Sequence, residues 1–131
     1  MLFRSLLRRE PVRIHGTGET SRDFCFIENI VQSNMLAATA QNPEAVNQVY
    51  NIGLGQKTTL NGLFDLLQGV LKRRFPALPQ QQPIYGDFRP GDVLHSLADI
   101  RKAQQRLGYA PTHSIEQGLD LAMDWYCANQ D

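Results

Sequence analysis

The strand-forming segments of this sequence are few and short, and helical segments separate them along the chain. Apolar and aromatic residues favour strands at residues 12–15, 24–27 and 49–52, with a further edge strand at residues 83–85. These short strands are expected to pair poorly among themselves. The pattern predicts a helix-rich α/β chain whose strands belong to a larger sheet.

Helical periodicity recurs between the strands, and capping or stop residues mark its ends. The predicted helices lie before Pro11, over residues 30–40, from Thr58 and Thr59 to Pro76, from Asp99 to Leu107, and from Ser114 through Trp125. Gly108 supplies a C-terminal stop, and Ser114 with Gln117 forms a capping box. The last helix is expected to bury one face, made of Ile115, Leu119, Ala122 and Trp125. Residues 77–82, rich in Pro and Gln, are expected to form an exposed loop.

Length and charge narrow the classes of protein that the chain can belong to. Its 131 residues allow one domain with a hydrophobic core. Thirteen basic residues balance 13 acidic ones, which argues against a nucleic-acid partner because phosphate binding needs a basic surplus. No apolar run approaches the ~20 residues of a membrane span. Cys25 and Cys127 are too few for a disulfide scaffold and indicate buried thiols in a reducing cytoplasm.

One motif resembles a cofactor-binding element without meeting its requirements, and the histidines form no metal-binding motif. Gly53-Leu54-Gly55 follows a predicted strand, as in a dinucleotide-binding turn, but Thr58 stands where the third glycine of that fingerprint belongs. A plain strand-to-helix turn is favoured there. The three histidines lack the spacing of metal ligands. Local patterns therefore assign no catalytic, cofactor-binding or metal-binding residue.

Two arginine elements are candidates for anion binding. Arg22 lies at the start of a short strand, from which a guanidinium can hold an anion with two hydrogen bonds. Arg89-Pro90-Gly91-Asp92 predicts a type II turn that brings Arg89 and Asp92 within ~7 Å at Cα. The alternatives are a surface ion pair for Arg22 and an ordinary solvated turn for Arg89 and Asp92. The residues alone leave the two interpretations about equal.

Longer strings resemble a known family. Residues 16–29, GTGETSRDFCFIEN, are similar to the G-x-G-x-x-x-R-D-F/Y-x-Y/H-V-x-D element of extended short-chain dehydrogenase/reductases that act on nucleotide sugars. YNIG at 50–53 resembles their late core strand, and RPGD at 89–92 matches their R-x-G-D turn. Residues 99–125 follow their closing pattern, D-x-x-K-A, L-G-Y-x-P and G-L-x-x-x-x-x-W. The fuller strings most resemble UDP-N-acetylglucosamine 4-epimerases of bacterial polysaccharide synthesis.

The resemblance implies a fold, a cofactor and partners. Residues 1–131 are expected to form the C-terminal, nucleotide-sugar-binding portion of a Rossmann-type enzyme, without its N-terminal NAD-binding half. The Y-x-x-x-K pair of the family is not present in the sequence. The full-length enzyme is expected to be a cytoplasmic homodimer that uses NAD to transfer a hydride from C4 of a UDP-sugar and back. This chain alone is expected to bind no NAD and to be inactive.

The family's substrate-binding residues carry over onto three positions. Arg22 and Arg89 correspond to arginines that hold the UDP diphosphate, and Asp92 corresponds to the aspartate that binds the ribose. The sequence departs from the family at Phe26 and at the Glu28-Asn29 step. Other possibilities are a dehydratase, reductase or decarboxylase of the same family, a UDP-sugar-binding module without catalysis, or a truncated remnant.

Overall fold

A computed structural model describes residues 2–129, and its strands form two small, separate sheets. The elements are α1 (Leu2–Arg8), β1 (Arg13–His15), β2 (Ser21–Arg22), α2 (Ile27–Ala38), a 3-10 turn (Pro43–Ala45), β3 (Thr58–Thr59), α3 (Leu60–Arg74), β4 (Ile84–Gly86), α4 (Arg101–Leu107) and α5 (Ile115–Ala128). β1 pairs in parallel with β4, and β2 pairs antiparallel with β3. The helix-rich α/β architecture is therefore as predicted, and the strands pair sparsely.

Apolar side chains gather in two clusters rather than one. The larger cluster joins α1, β1, α3 and α5 through Phe3, Leu6, Val12, Ile14, Phe64, Leu67, Val70, Leu71 and Met123. The smaller one consists of Ile100, Ala103 and Tyr109, with Leu36, Tyr50, Ile52 and Ala98 packed against it. The smaller cluster lies next to the candidate site, because Tyr50, Ile52 and Ala98 also line the cleft described below.

The predicted helix ends are confirmed where local hydrogen bonds determine them. The Thr59 hydroxyl accepts from the Gly62 amide at 3.0 Å. Ser114 Oγ accepts from the Gln117 amide at 3.2 Å, while Gln117 Oε1 accepts from the Ser114 amide at 2.9 Å. Gly108 ends α4 with a left-handed φ of 69°, a conformation that costs glycine little. None of the helices within residues 2–129 is long and apolar enough to cross a membrane.

Two predicted strands are wrong. Residues 24–26 lead directly into α2, which begins at Ile27, three residues before the expected start of the helix. Residues 49–52 form no ladder with any other segment in the described part of the chain. Their main-chain contacts are instead with side chains, since Lys102 Nζ donates to the Val49 carbonyl at 2.9 Å. Both errors have the same cause, because a strand exists only where a neighbouring strand accepts and donates its hydrogen bonds.

The predicted buried face of α5 is wrong at Trp125, which is 63% exposed. Tyr126 contacts the core instead, since its ring centroid lies 5.2 Å from that of Phe3, although Tyr126 is itself 39% exposed. Because adjacent helix residues are about 100° apart, Trp125 is turned to the edge of the face and packs on Tyr126 instead. Met123 is the apolar side chain of α5 that is fully buried.

Candidate functional site

A cleft of about 490 Å³ opens beside the short strand β2. Three segments line it, at residues 22–23, 50–52 and 96–98. Ser21 joins the first and third segments, because its amide donates to the Leu94 carbonyl at 2.9 Å and its carbonyl accepts from the Ser96 amide at 3.1 Å. On its other side, β2 pairs with β3, so the strand that enters the cleft is held from both edges.

Arg22 brings a positive charge to the cleft. Its Nη1 donates to the Ser21 carbonyl at 2.8 Å, which fixes one arm of the guanidinium to the chain's own backbone. Within residues 2–129, no carboxylate lies within ion-pair distance of Arg22. Arg22 is half-buried. Its charge is therefore presented to the cleft in a defined position and is not neutralised by a protein carboxylate, which suits an anionic ligand.

Asp23, the next residue, points to a different set of partners. Its Oδ1 accepts from the Leu54 amide at 2.9 Å, and its Oδ2 accepts from the Gly55 amide at 2.9 Å. A weaker bond comes from the Ala98 amide to Oδ2 at 3.4 Å. The sequence alone indicated no role for Asp23. The available clues were that Asp23 follows Arg22 directly and that Gly53 and Gly55 form a turn elsewhere in the chain.

These bonds decide what the Gly53-Leu54-Gly55 turn can do. The amides that a pyrophosphate would need are occupied by the Asp23 carboxylate. A Cβ on Gly53 would lie 2.5 Å from Asp23 Oδ2, so the carboxylate fills the space that the missing side chain leaves. The residues of this chain therefore do not fit NAD there. The strand-to-helix turn that the sequence favoured is only partly correct, because residues 49–52 form no strand before the turn and β3 lies between the turn and α3.

Arg89, Pro90, Gly91 and Asp92 form the predicted turn. The Asp92 amide donates to the Arg89 carbonyl at 3.2 Å, and Gly91 has a φ of 83°, as the third position of a type II turn requires. Both Arg89 and Asp92 are exposed. Neither forms an ion pair with another residue in the described part of the chain.

Backbone hydrogen bonds hold the turn on both sides. The Gly86 carbonyl accepts from the Gly16 amide at 2.9 Å on one side, and Leu94 bonds to Ser21 on the other. Phe88 packs on Gly16, where a Cβ would clash with its ring. The structure thus attaches the turn to the strand that carries Arg22. It does not place Arg89 or Asp92 among the residues that line the Arg22 cleft.

The Glu28-Asn29 departure from the family pattern has a structural explanation. Asn29 is fully buried, and its Oδ1 accepts from the amides of Thr112 and His113 at 2.9 and 3.1 Å. Its Nδ2 donates to the His113 carbonyl at 2.8 Å. An ionised aspartate could accept the first two bonds but could not donate the third, so an asparagine meets every requirement of this position.

Comparison with known proteins identifies the family. The sequence matches the family model described as GDP-mannose 4,6 dehydratase over residues 1–122. The chain belongs to this family. It is therefore one of the extended short-chain dehydrogenase/reductases, which include nucleotide-sugar epimerases and dehydratases, as its motifs predicted.

The relatives include both reaction types. The chain is 33% identical to the dTDP-glucose 4,6-dehydratase of Haemophilus influenzae, over 98% of this chain and 39% of that protein. Among solved structures, it is 35% identical to UDP-glucose 4-epimerase of Thermotoga maritima with UDP-glucose, with a TM-score of 0.84 over 99% of this chain and 39% of that one. It is 32% identical to UDP-N-acetylglucosamine 4-epimerase of Methanobrevibacter ruminantium in complex with UDP-N-acetylmuramic acid. The TM-score is 0.82, over 97% of this chain and 38% of that one.

The match covers only part of each relative. The chain spans about a third of the length of the curated relatives and corresponds to their C-terminal portion. MoeE5, solved with UDP-glucuronic acid and NAD, is 31% identical, with a TM-score of 0.80 over 97% of this chain and 40% of that one. NAD is thus a cofactor of full-length family members, and the amides of the turn at Gly53-Leu54-Gly55 are bonded to Asp23.

Proposed function

We propose that this chain is the UDP-anchoring portion of an NAD-dependent UDP-sugar 4-epimerase, with UDP-glucose or UDP-N-acetylglucosamine as substrate. Arg22 and Arg89 hold the diphosphate, and Asp92 accepts hydrogen bonds from the ribose hydroxyls. The reaction is redox chemistry of the NAD, which the remaining part of the fold binds. This chain contributes the anchor that keeps the nucleotide in place while the sugar reacts.

The observation that carries the proposal is the half-buried guanidinium of Arg22, which faces a 490 Å³ cleft without a carboxylate partner among residues 2–129. A diphosphate offers several oxygens to such a group, and charge-assisted bonds of this kind are about twice as strong as neutral ones. The Arg89 turn lies on the continuation of the chain that pairs with Ser21. A ligand that extends beyond the cleft toward this turn would meet a second cation and a carboxylate.

The proposal also includes the partner that completes the fold. Ile27, Val31 and Met35 form an apolar stripe on α2, 62%, 51% and 60% exposed, and Val49 is 84% exposed. These residues, together with the unpaired segment 49–52, suit packing against the NAD-binding half of the family fold. The completed enzyme would be a cytoplasmic homodimer, as the resemblance implies.

Chemical-shift mapping tests the anchor directly. UDP titrated into the ¹⁵N-labelled chain should shift the amides of residues 22–23, 50–52 and 89–98. Uridine at the same concentration should shift them much less, because it lacks the diphosphate. Equal responses to UDP and uridine, or shifts confined to other surfaces, would contradict the diphosphate assignment.

A dTDP-sugar dehydratase is the second candidate, because the Haemophilus influenzae relative with that activity is 33% identical. The two candidates differ in the nucleotide. Tighter binding of UDP than of dTDP favours the UDP-sugar epimerase. The reverse favours a dTDP-sugar substrate, on which relatives named as a 4-epimerase and as a dehydratase both act. Competition between the two nucleotides for the same shifted amides measures this preference.

A further inference from the structure

Asp23 places a carboxylate beside a site proposed to bind an anion, where a negative charge is expected to repel the ligand. Its two oxygens are instead surrounded by amides from two separate segments, at Leu54, Gly55 and Ala98. Ala98 belongs to a segment that lines the Arg22 cleft, and only Gly53 separates Leu54 from the segment at 50–52 that forms another wall. The Asp23 carboxylate thus connects the segment that contains Arg22 to the two other segments that line the cleft, at residues 50–52 and 96–98.

We infer that Asp23 is a positioning residue, which acts through Arg22 by holding the walls of the cleft at a fixed distance from the guanidinium. The inference rests on the proposed function, since Arg22 must be the group that meets the diphosphate. Asp23 itself need not contact the ligand, because its oxygens are already engaged by the protein.

The chemistry of the position calls for a carboxylate. Oδ1 and Oδ2 both accept, one from Leu54 and the other from Gly55 and Ala98. An asparagine has one acceptor oxygen, so its amide group would face at least one N–H donor without a bond. A glutamate would be too long for this position, because Asp23 Oδ2 already lies close to Gly53. A Cβ built on Gly53 would be 2.5 Å from this oxygen.

A second side chain also bonds to the Gly53 turn. The Tyr109 hydroxyl, in a side chain that is 1% exposed, donates to the Gly53 carbonyl at 2.8 Å. Asp23 and Tyr109 therefore both bond to the same turn, and Tyr109 belongs to the smaller apolar cluster. Without the Asp23 bonds, the turn would still be bonded to Tyr109 in the core, but no longer to the residue next to Arg22.

Electrostatics and positioning predict opposite results for Asp23→Asn. This substitution removes a negative charge next to an anion site, so an effect of charge alone would tighten UDP binding. Loss of positioning would weaken it. We expect UDP to bind about tenfold more weakly, which corresponds to the loss of roughly one charge-assisted hydrogen bond.

The test measures UDP affinity by calorimetry for the wild-type chain, Asp23→Asn, Arg22→Ala and the double variant. If Asp23 acts through Arg22, the double variant binds no more weakly than Arg22→Ala alone. Met123→Val, in the other apolar cluster, is the control for a general loss of stability and should bind UDP as the wild type does. Unchanged or tighter binding by Asp23→Asn, or additive losses in the double variant, would overturn the inference.

Spectra recorded without ligand separate this inference from the proposed function. In Asp23→Asn, the resonances of the Leu54, Gly55 and Ala98 amides and of Arg22 Nε should shift, while those of the larger core stay in place. If they shift but the wild-type chain fails to bind UDP, the proposed function is wrong and the linkage of Asp23 to Arg22 stands. If the Arg22 resonance does not move, the inference is overturned whatever UDP does.

Discussion

Arg74 of α3 holds Asp120 of α5, with Nη1 2.7 Å from Oδ1 and Nη2 donating to the Asp120 carbonyl at 2.7 Å. Asp124 adds an oxygen 3.1 Å from Arg74 Nε. This contact joins two helices of the larger core, away from the cleft. It is therefore a place where the stability of the chain can be changed without affecting the proposed site.

The hydrogen bond from Arg74 lowers the pKa of Asp120. A carboxylate whose folded pKa is depressed contributes stability above its unfolded pKa of about 3.9, and the contribution is lost as pH falls through the folded value. We predict that Arg74→Met lowers the urea midpoint at pH 7 and that the difference from wild type shrinks below pH 4. A difference that stays constant with pH would show that packing of the arginine stem, rather than its charge, holds the helices.

Gly53 should tolerate no side chain. A Cβ there would lie 2.5 Å from Asp23 Oδ2, so Gly53→Ala must displace the carboxylate or the turn. We predict a loss of about 1–3 kcal/mol in the free energy of unfolding, the range for buried polar groups that lose their partners. The matched control is Gly69→Ala within α3, where a Cβ meets no atom within 4 Å. That change should stabilise the chain by roughly 0.5–1 kcal/mol, so equal effects of the two substitutions would contradict the account.

Tyr109→Phe should leave the Gly53 carbonyl without its buried donor. We predict a loss of about 1–3 kcal/mol in unfolding free energy at neutral pH. Burial is the main cause that raises the pKa of Tyr109, and the neighbouring Cys25 adds to it. The stability that the neutral phenol contributes is therefore complete below about pH 10 and is lost as pH rises above it. A Tyr109→Phe variant should show less of this alkaline loss, and an identical alkaline profile would argue against the assignment.

Asn29 gives a graded test of the buried amide. Asn29→Leu removes the acceptor for the Thr112 and His113 amides as well as the donor to the His113 carbonyl. Asn29→Asp, the residue that the family pattern carries, keeps the acceptor for both amides and replaces the donor with a second carboxylate oxygen. Since each unsatisfied buried group costs about 1–3 kcal/mol, we predict that Asn29→Leu is the more destabilising of the two. Chemical denaturation checks the order, and a larger loss for Asn29→Asp would contradict it.

What could be predicted from the sequence depended on how far apart the interacting residues lie. Thr59, Gly108 and Ser114 were assigned correctly, because each cap bonds to a residue within a few positions. The same is true of the Arg89 turn, in which the Asp92 amide bonds to the Arg89 carbonyl three residues earlier. Local chemistry was sufficient for these features.

The rest depends on contacts that no local pattern encodes. Asp23 bonds to Leu54 and Ala98, 31 and 75 positions away, so its role could not be found from its neighbours in sequence. Strand formation at residues 49–52 was predicted from apolar composition, but composition does not supply a partner strand. A diphosphate-binding role for Arg22 was expected from a resemblance to a family, and the cleft beside Arg22 became visible only in the structure.

Binding of UDP to this chain tests the central claim most directly. Calorimetric titration should show saturable binding that Arg22→Ala weakens by about 1.5–3 kcal/mol, the value of a hydrogen bond to a charged group. Arg73→Ala is the matched control, because Arg73 is an exposed arginine that pairs with Glu116 at 3.2 Å away from the cleft. It should leave the affinity unchanged. Binding that is equally strong in wild type, Arg22→Ala and Arg73→Ala would contradict the assignment of Arg22 as a diphosphate anchor.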